Sequence, residues 1–414
     1  MHSHPWFGLT RRLKLVLLPL IAAILTAIFV VLDKYYLTVL DPNPYVYCFI
    51  SLWLGILSMF VFMLIMRIPL KKKHLIGVHL DPNFTGFILP KGKLLFLLLV
   101  AGACASISSL CYFYLVGVSS PSTMIPFQRL VIVYLIALES ISDRESPSMI
   151  ETQSIVMIIG GIFLMSLTDL NFNIWTILIV LGPYNLAIMG LTIALQKAKR
   201  MMYNHRRNDA LNMRFWSLGF NAVILSFILI PFMTPEFFAS LASVNATMVT
   251  VTIASMMIST ISYVAYIRAL GVTKMSTVNA IMAFAIILGI PFTFIGNFFF
   301  PSAFGSLDAS PLFWVFKGIG ALLIVLAIVV LALSQVKAYL LIYLDGPADP
   351  ILQKLIALRG ITTVSAVSGD LLLIAILKIR TLGKAYRTLV TDLEKIEGIK
   401  RVTTLTNLKE WEKL

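Results

Sequence analysis

Ten long apolar segments restrict what this 414-residue chain can fold into. A helix rises about 1.5 Å per residue, so about 20 mostly apolar residues cross the hydrocarbon core of a bilayer. The segments are residues 15–39, 45–66, 94–116, 122–138, 152–168, 175–195, 215–233, 248–270, 275–298 and 312–333. We therefore predict an all-α polytopic membrane protein with ten transmembrane helices, embedded in a lipid bilayer.

Composition agrees with this fold class and excludes several functions. The chain is 59% hydrophobic and 13% charged, whereas soluble domains hold about 25% charged residues. Its three cysteines lie in apolar runs, and its five histidines lack the spacing of a zinc site. No Gly-rich phosphate loop with a lysine and no nucleophile–base pairing is visible. We expect no enzyme activity, no cofactor and no metal.

The placement of Lys and Arg predicts the orientation. They collect before the first segment and in the second and sixth loops, where Arg214 is counted, whereas the odd-numbered loops contain none. Positive residues mark the cytoplasmic side, so we expect both termini inside the cell and the spans in the plasma membrane. This pattern also accounts for much of the net charge of +14. No basic face on a folded domain indicates a nucleic-acid partner.

A short motif occurs twice. "YFYLVGVSSPSTM" at residues 112–124 aligns without gaps with "YIRALGVTKMSTV" at residues 266–278. The first copy joins the third and fourth segments, and the second copy joins the eighth and ninth. Each half then holds five crossings, and an odd number inserts the second half in the opposite sense. We predict two inverted five-helix repeats, residues 1–169 and 170–337, with a substrate site between them.

Residues around the first copy resemble a known family. "YFYLVGVSSPSTMIPFQRLVIVYLIALES" and "VVLDKYYL" are similar to the drug/metabolite transporter superfamily, EamA-like branch, and the resemblance extends over residues 15–337. It implies a ten-helix, five-plus-five fold and transport of a small metabolite. Pro126 and Glu139 fit the family's fourth helix. Thr293 occupies the position that corresponds to Glu139 in the second half, so this acid is not a symmetric element.

The charged residues within the spans are candidates for the site. Arg129 and Asp33 lie at similar depth, roughly 12–13 Å from the outer ends of their segments at 1.5 Å per residue. An unpaired arginine in hydrocarbon is costly, so we expect Arg129, Asp33 and the adjacent Lys34 to line a polar cavity. The alternative is a buried Asp33–Arg129 ion pair that only clamps two helices together.

Other polar residues of the spans complete the predicted substrate-binding set. Gln128 adjoins Arg129, while Tyr184 and Asn185 follow Pro183, which lacks a backbone donor and bends helices. Three tyrosines lie along the repeat seam, although aromatic packing would explain them as well, and one asparagine lies in the ninth segment. These four residues are Tyr112, Tyr263, Tyr266 and Asn279.

The pattern changes after Lys337. Strand-like and helix-like runs alternate as βαββαβ, which predicts a cytoplasmic α+β domain of the ferredoxin-like kind over residues 338–414. "VSG" followed by an apolar strand, and "LEKIEGIKRVTTLTNLKE", resemble the effector-binding domain of the Lrp/AsnC family. This resemblance implies homodimerisation through the sheets and amino-acid binding between subunits. Gly369 and Asp370 are adjacent, whereas the family has two residues between them, so an oligomerisation module without ligand stays open.

Together these features favour a secondary transporter. We expect alternating-access transport of a small organic metabolite, with amino-acid export as a candidate, and a tail that dimerises and senses ligand. The alternative is a membrane receptor or scaffold that signals through the tail without transport, and a lipid flippase is a third candidate. The substrate, the coupling ion and the direction do not follow from the sequence.

Overall fold

The computed structural model describes residues 11–69, 75–143, 149–166, 174–203, 206–300, 304, 311–333, 336–345, 351–352, 355, 361–367, 371–379, 393, 396 and 398–406. The chain forms two compact units. One comprises Met1–Ile136 and Val156–Ile328, and the other comprises Ala137–Ile155 and Val329–Leu414. The first unit thus takes residues from both predicted five-helix repeats, whose boundaries stay predictions.

Most of the described chain before the tail is helical. The helices are α1 Arg11–Tyr35, α2 Pro44–Met66, α3 Gly77–Leu80, α4 Gly92–Val118, α5 Pro121–Arg129, α6 Val131–Asp143, α7 Met149–Ser166, α8 Ile174–Ile179, α9 Asn185–Arg200, α10 Ala210–Leu229, α11 Pro235–Ala242, α12 Ala246–Leu270, α13 Met275–Met282, α14 Ala285–Phe299 and α15 Pro311–Leu333. Two-residue strands β1 Met202–Tyr203 and β2 Arg206–Arg207 form a short hairpin after α9.

Eight helical stretches in the described part are long and apolar enough to cross a membrane. They coincide with eight of the ten predicted segments, because apolar runs of spanning length have few other solutions. The segments predicted at 152–168 and 312–333 contain shorter apolar helices, Thr152–Met165 and Trp314–Val330. Eight crossings are therefore supported, whereas the fifth and tenth stay predictions.

Three of the crossings are interrupted. Between α8 and α9 the chain forms a π-helical stretch, Val180–Tyr184, in which Gly182 leaves the helical region with φ −92° and ψ −107°. Pro183 explains this break, because its ring and missing N–H disturb the preceding turn. A second break separates α5 from α6 at Leu130, and a third separates α13 from α14 after Met282. The last two follow the two copies of the sequence repeat.

Packing within the first unit pairs helices that are distant in sequence. The α1 helix packs along α12, whereas α4 packs along α9 and α10. Facing glycines allow one especially close approach: a Cβ atom on Gly161 of α7 would lie 2.6 Å from the carbonyl oxygen of Gly320 in α15. Small residues of this kind let helix backbones meet in a membrane.

The described part of the tail contains a four-stranded antiparallel sheet. Its strands are β3 Val336–Leu344, β4 Ile361–Ala366, β5 Leu372–Ile379 and β6 Ile399–Thr406, in the order β4-β5-β3-β6. Alternate residues such as Leu340 and Ile342 are buried, together with Leu373 and Ala375 of β5. Only fragments of the two predicted helices fall within the described residues, so the ferredoxin-like βαββαβ fold stays a prediction.

Candidate substrate site

A cavity of about 140 Å³ lies within the first unit. Side chains from α1, α2, α4, α5, α6, α9, α10, α12 and α13, and from the stretch before α9, line it. Eight of the ten predicted site residues are among the lining: Asp33, Tyr112, Gln128, Arg129, Tyr184, Tyr263, Tyr266 and Asn279. The helices thus bring residues from both copies of the repeat to one chamber.

The other two predicted residues have different contacts. Lys34 donates from Nζ to the carbonyl oxygens of Val116 (2.9 Å) and Gly117 (3.0 Å), at the end of α4. Asn185 donates from Nδ2 to the carbonyl oxygens of Val180 (2.7 Å) and Phe127 (3.1 Å). Both side chains satisfy backbone carbonyls near helix ends or breaks. Neither residue is therefore among the lining of this cavity, which corrects the expectation that Lys34 lines it, and their role in substrate binding stays a prediction.

Asp33 is the only acidic residue in the cavity lining described here. Its side chain is fully buried and accepts hydrogen bonds from the Tyr47 hydroxyl (2.6 Å), the Tyr112 hydroxyl (2.7 Å) and the Ser255 hydroxyl. Three O–H donors from α2, α4 and α12 replace the water that a carboxylate loses on burial. Among the described residues Asp33 forms no ion pair with Arg129, so the predicted clamp is wrong in that form.

Arg129 ends α5 and is only 4% exposed. Within the described part of the chain its Nε has no hydrogen-bond partner, and no carboxylate pairs with it. Tyr184, Tyr263 and Tyr266 line the same cavity as Arg129 and interact with its guanidinium electrostatically. Its neighbour Gln128 hydrogen-bonds with the side chain of Tyr184. Arg129 thus lies at the cavity, directly before the helix break at Leu130, and forms no ion pair with the described residues.

Arg214 lines the cavity, although the distribution of Lys and Arg in the sequence predicts it in a cytoplasmic loop. The Asp209 side chain caps α10 by accepting from the backbone N–H of Asn212, so the helix begins at Ala210 and includes Arg214. The Arg214 guanidinium carbon lies 4.2 Å from the centre of the Tyr263 ring, and Nη2 donates to Ser259 Oγ at 3.4 Å. An Asp in the N-cap position is a recognisable helix start. That signal could have moved Arg214 into the span.

The repeat-related tyrosines contact different partners in the cavity. Tyr112 donates to Asp33, whereas the Tyr266 hydroxyl is 2.8 Å from Thr192 Oγ1 and accepts from Asn279 Nδ2 at 3.2 Å. Both rings also make aromatic contacts, Tyr112 with Phe29 and Tyr266 with Tyr263. Both tyrosines therefore pack against aromatic rings and also hydrogen-bond at the cavity, and their role in substrate binding stays a prediction.

A second polar cluster lies at the ends of two spans, where the second loop meets the last turn of α9 and the start of α10. Asp81 accepts from Lys199 Nζ at 2.7 Å and from the backbone N–H of Ala210 at 2.7 Å. Burial alone would raise the pKa of Asp81, but the Lys199 charge and these hydrogen bonds lower it below its usual value. Burial raises the pKa of nearby Asp209 to about 6, against the lowering effect of its bonds to Asn212.

Lys317 is a buried cation that the sequence analysis did not single out. It lies in α15, is 3% exposed and donates to Ser122 Oγ at 2.9 Å. Its position inside the tenth apolar segment is itself a signal, since charged residues inside spans are rare and costly. Lys317 is not part of the cavity lining.

Groups of three His, Cys, Asp or Glu side chains that could hold a metal ion are absent from the described residues.

Comparison with known proteins relates the first part of the chain to a family of membrane transporters. No curated protein matches it in sequence. The eight helices of spanning length make it a multi-pass membrane protein. Residues 13–167, which include Asp33, Tyr112, Gln128 and Arg129 of the cavity, match the EamA-like transporter family.

Proposed function

We propose that this protein is a secondary transporter that moves a small organic metabolite across the cell membrane through the cavity around Arg129. The observation that carries the proposal is a buried polar chamber inside helices of membrane-spanning length. Polar residues in that position are expensive and are retained for substrate or ion pathways. The match of residues 13–167 to the EamA-like transporter family supports the same class.

Helix packing supports inverted repeats and alternating access. If the first five predicted crossings correspond to the second five, α1 is equivalent to α9, and α4 is equivalent to α12. The contact of α1 with α12 then corresponds to the contact of α9 with α4, and both are observed. The breaks after α5 and α13 also correspond. A site at such an interface could open to each side by rocking of one repeat against the other.

The orientation and the tail belong to the same proposal. Both termini lie in the cytoplasm, by the distribution of Lys and Arg. The strand order β4-β5-β3-β6 suits the ferredoxin-like arrangement inferred from the sequence. In this proposal the tail dimerises through its sheet and responds to an internal ligand, and export of an amino acid is one form of the activity.

Flux measurements test this function. The full chain is reconstituted into liposomes, and uptake is followed for a panel of amino acids, carboxylates, sugars and nucleosides. Ser259→Trp fills the cavity and should abolish uptake, whereas Ser243→Trp, on an exposed turn, should leave it intact. Absence of flux for the whole panel in folded protein would favour a non-transporting receptor or scaffold.

A further inference from the structure

The cavity carries more positive than negative charge. Its described lining contains the guanidinium groups of Arg129 and Arg214 and the carboxylate of Asp33. With each group in its usual charge state, the lining has a net formal charge of +1. A buried charge without compensation is unfavourable, so the chamber favours an occupant that brings negative charge.

The hydrogen bonds sharpen this imbalance. Asp33 accepts three O–H donors, two at Oδ1 and one at Oδ2, and its side chain has no exposed surface. Its acceptor capacity is thus used largely by the protein. A substrate ammonium group would have to displace these hydroxyls, so Asp33 is a poor recognition element for a cation.

The arginines are in the opposite situation. Both are more than nine-tenths buried, and the Nε of each lacks a hydrogen-bond partner among the described residues. Neither forms an ion pair there. Buried donors are almost always paired, and a guanidinium has five N–H donors in a fixed fork.

Tyr263 lines the same cavity as the two arginines. The guanidinium carbon of Arg214 lies over the Tyr263 ring, 4.2 Å from its centre. Stacking fixes the plane of a guanidinium and leaves its edge free to bind. Two guanidinium groups in the lining of one cavity suit an oxyanion, which arginine binds through two parallel N–H···O bonds.

We propose that the transported metabolite is a small organic anion whose carboxylate or phosphate group is bound by Arg129 and Arg214. This inference rests on the proposed transport function and narrows its substrate class. Among amino acids it favours acidic ones, because a neutral zwitterion would present an ammonium group and leave the net positive charge of the lining uncompensated.

Binding to the purified full chain in lipid nanodiscs tests the proposal. The probes are labelled succinate and glutamate for carboxylates, glycerol 3-phosphate for phosphates, and leucine and lysine as neutral and cationic comparisons. We expect saturable binding of at least one anion, at least tenfold tighter than leucine or lysine. Binding confined to carboxylates or to phosphates identifies the group and supports the proposal in either case.

Variants locate the binding. Arg129→Gln and Arg214→Gln should each weaken anion binding about tenfold to a hundredfold, the range for hydrogen bonds to charged groups. Arg129→Lys keeps the positive charge but loses the planar guanidinium that donates two parallel hydrogen bonds, so it should also weaken anion binding. This variant replaces Arg129→Gln if the glutamine variant does not fold. Arg67→Gln removes one exposed arginine outside the cavity and should leave binding unchanged.

Different results would contradict the anion proposal and the proposed transport function. Flux or binding of leucine or lysine without any of the anions would overturn the anion proposal and leave transport standing. Anion binding that persists unchanged in the folded Arg129 and Arg214 variants would also overturn it. Absence of anion binding in folded wild-type protein counts against it directly.

Discussion

Tyr112 and Tyr266 occupy equivalent positions in the two copies of the sequence repeat, and both hydroxyls face the same cavity with different partners. Tyr112 donates to the Asp33 carboxylate at 2.7 Å, whereas Tyr266 is 2.8 Å from the neutral hydroxyl of Thr192. The repeat thus preserves the position of a phenol while the group it contacts differs in charge. The chamber is consequently asymmetric in its polar chemistry.

Removal of the two hydroxyls should have unequal effects on stability. Tyr112→Phe deletes a hydrogen bond to a buried charged group and should cost about 1.5–3 kcal/mol. Tyr266→Phe deletes bonds between neutral groups and should cost about 0.5–1.5 kcal/mol. Thermal unfolding of the purified variants in one detergent measures both. Equal destabilisation would contradict the charge-assisted bond at Asp33.

Asp209 should make stability depend on pH. Its pKa is about 6 in the folded protein and 3.8 as the ordinary value, so the folded state binds more protons between these limits. Stability therefore falls as pH rises from about 4 to about 6 and does not recover above that range. Asp209→Asn keeps a good N-cap and should flatten this slope, with a gain of about 1–3 kcal/mol at pH 7. Unfolding at a series of pH values provides the measurement.

The buried Asp81–Lys199 pair should be strongly coupled. Asp81→Asn leaves the Lys199 ammonium, 4% exposed, without its counter-charge, and should cost about 3–5 kcal/mol. Lys199→Met should rescue part of the loss when combined with it. A double-mutant cycle on unfolding free energies isolates the coupling. Additive effects of the two changes would show that the pair contributes nothing as a pair.

Two adjacent glycines of α7 should tolerate substitution differently. A Cβ atom on Gly161 would lie 2.6 Å from the Gly320 carbonyl oxygen, whereas one on Gly160 would meet nothing within 4 Å. Gly161→Ala should destabilise by about 1–3 kcal/mol through overpacking. Gly160→Ala is the matched control and should be neutral or slightly stabilising, since alanine favours helix. Thermal stability in detergent decides between these outcomes.

The proposed orientation can be tested by labelling. Lys91→Cys and Asn245→Cys place a thiol on exposed positions before α4 and before α12. In a background without the three native cysteines, an impermeant maleimide added to intact cells should label position 245 and not position 91. The reverse pattern would invert the topology, and labelling of both would contradict it.

Eight of the ten predicted spans are supported, because apolar segments of that length have one common solution in a membrane. Some of their ends follow from caps such as Asn43 before α2. The individual site residues are harder to predict, because the depth of a residue along a helix does not show which side of the helix its side chain lies on. Asp33 and Lys34 are neighbours in sequence but point roughly 100° apart around a helix of about 3.6 residues per turn. One reaches the cavity and the other reaches the end of α4.

Hydrogen bonds between helices that are distant in the sequence explain why Asp33 does not pair with Arg129. The sequence gives no direct indication that Asp33 is bonded by hydroxyls of α2, α4 and α12, since these partners lie far apart in the chain. Depth along the helices predicts that Arg129 meets Asp33, the nearest acid at a similar depth. Three hydroxyl donors already occupy that acid, which leaves the guanidinium to the cavity.

The bond between Ser255 and Asp33 links α12 to α1, while Tyr47 and Tyr112 hold the same carboxylate from α2 and α4. The Asp33 carboxylate thus connects four helices at one depth, and a movement that parted α12 from α1 there would remove the Ser255 donor from a buried acceptor. In the rocking movement of the proposed transport cycle, protonation of Asp33 or a replacement donor would lower the free-energy cost of that separation.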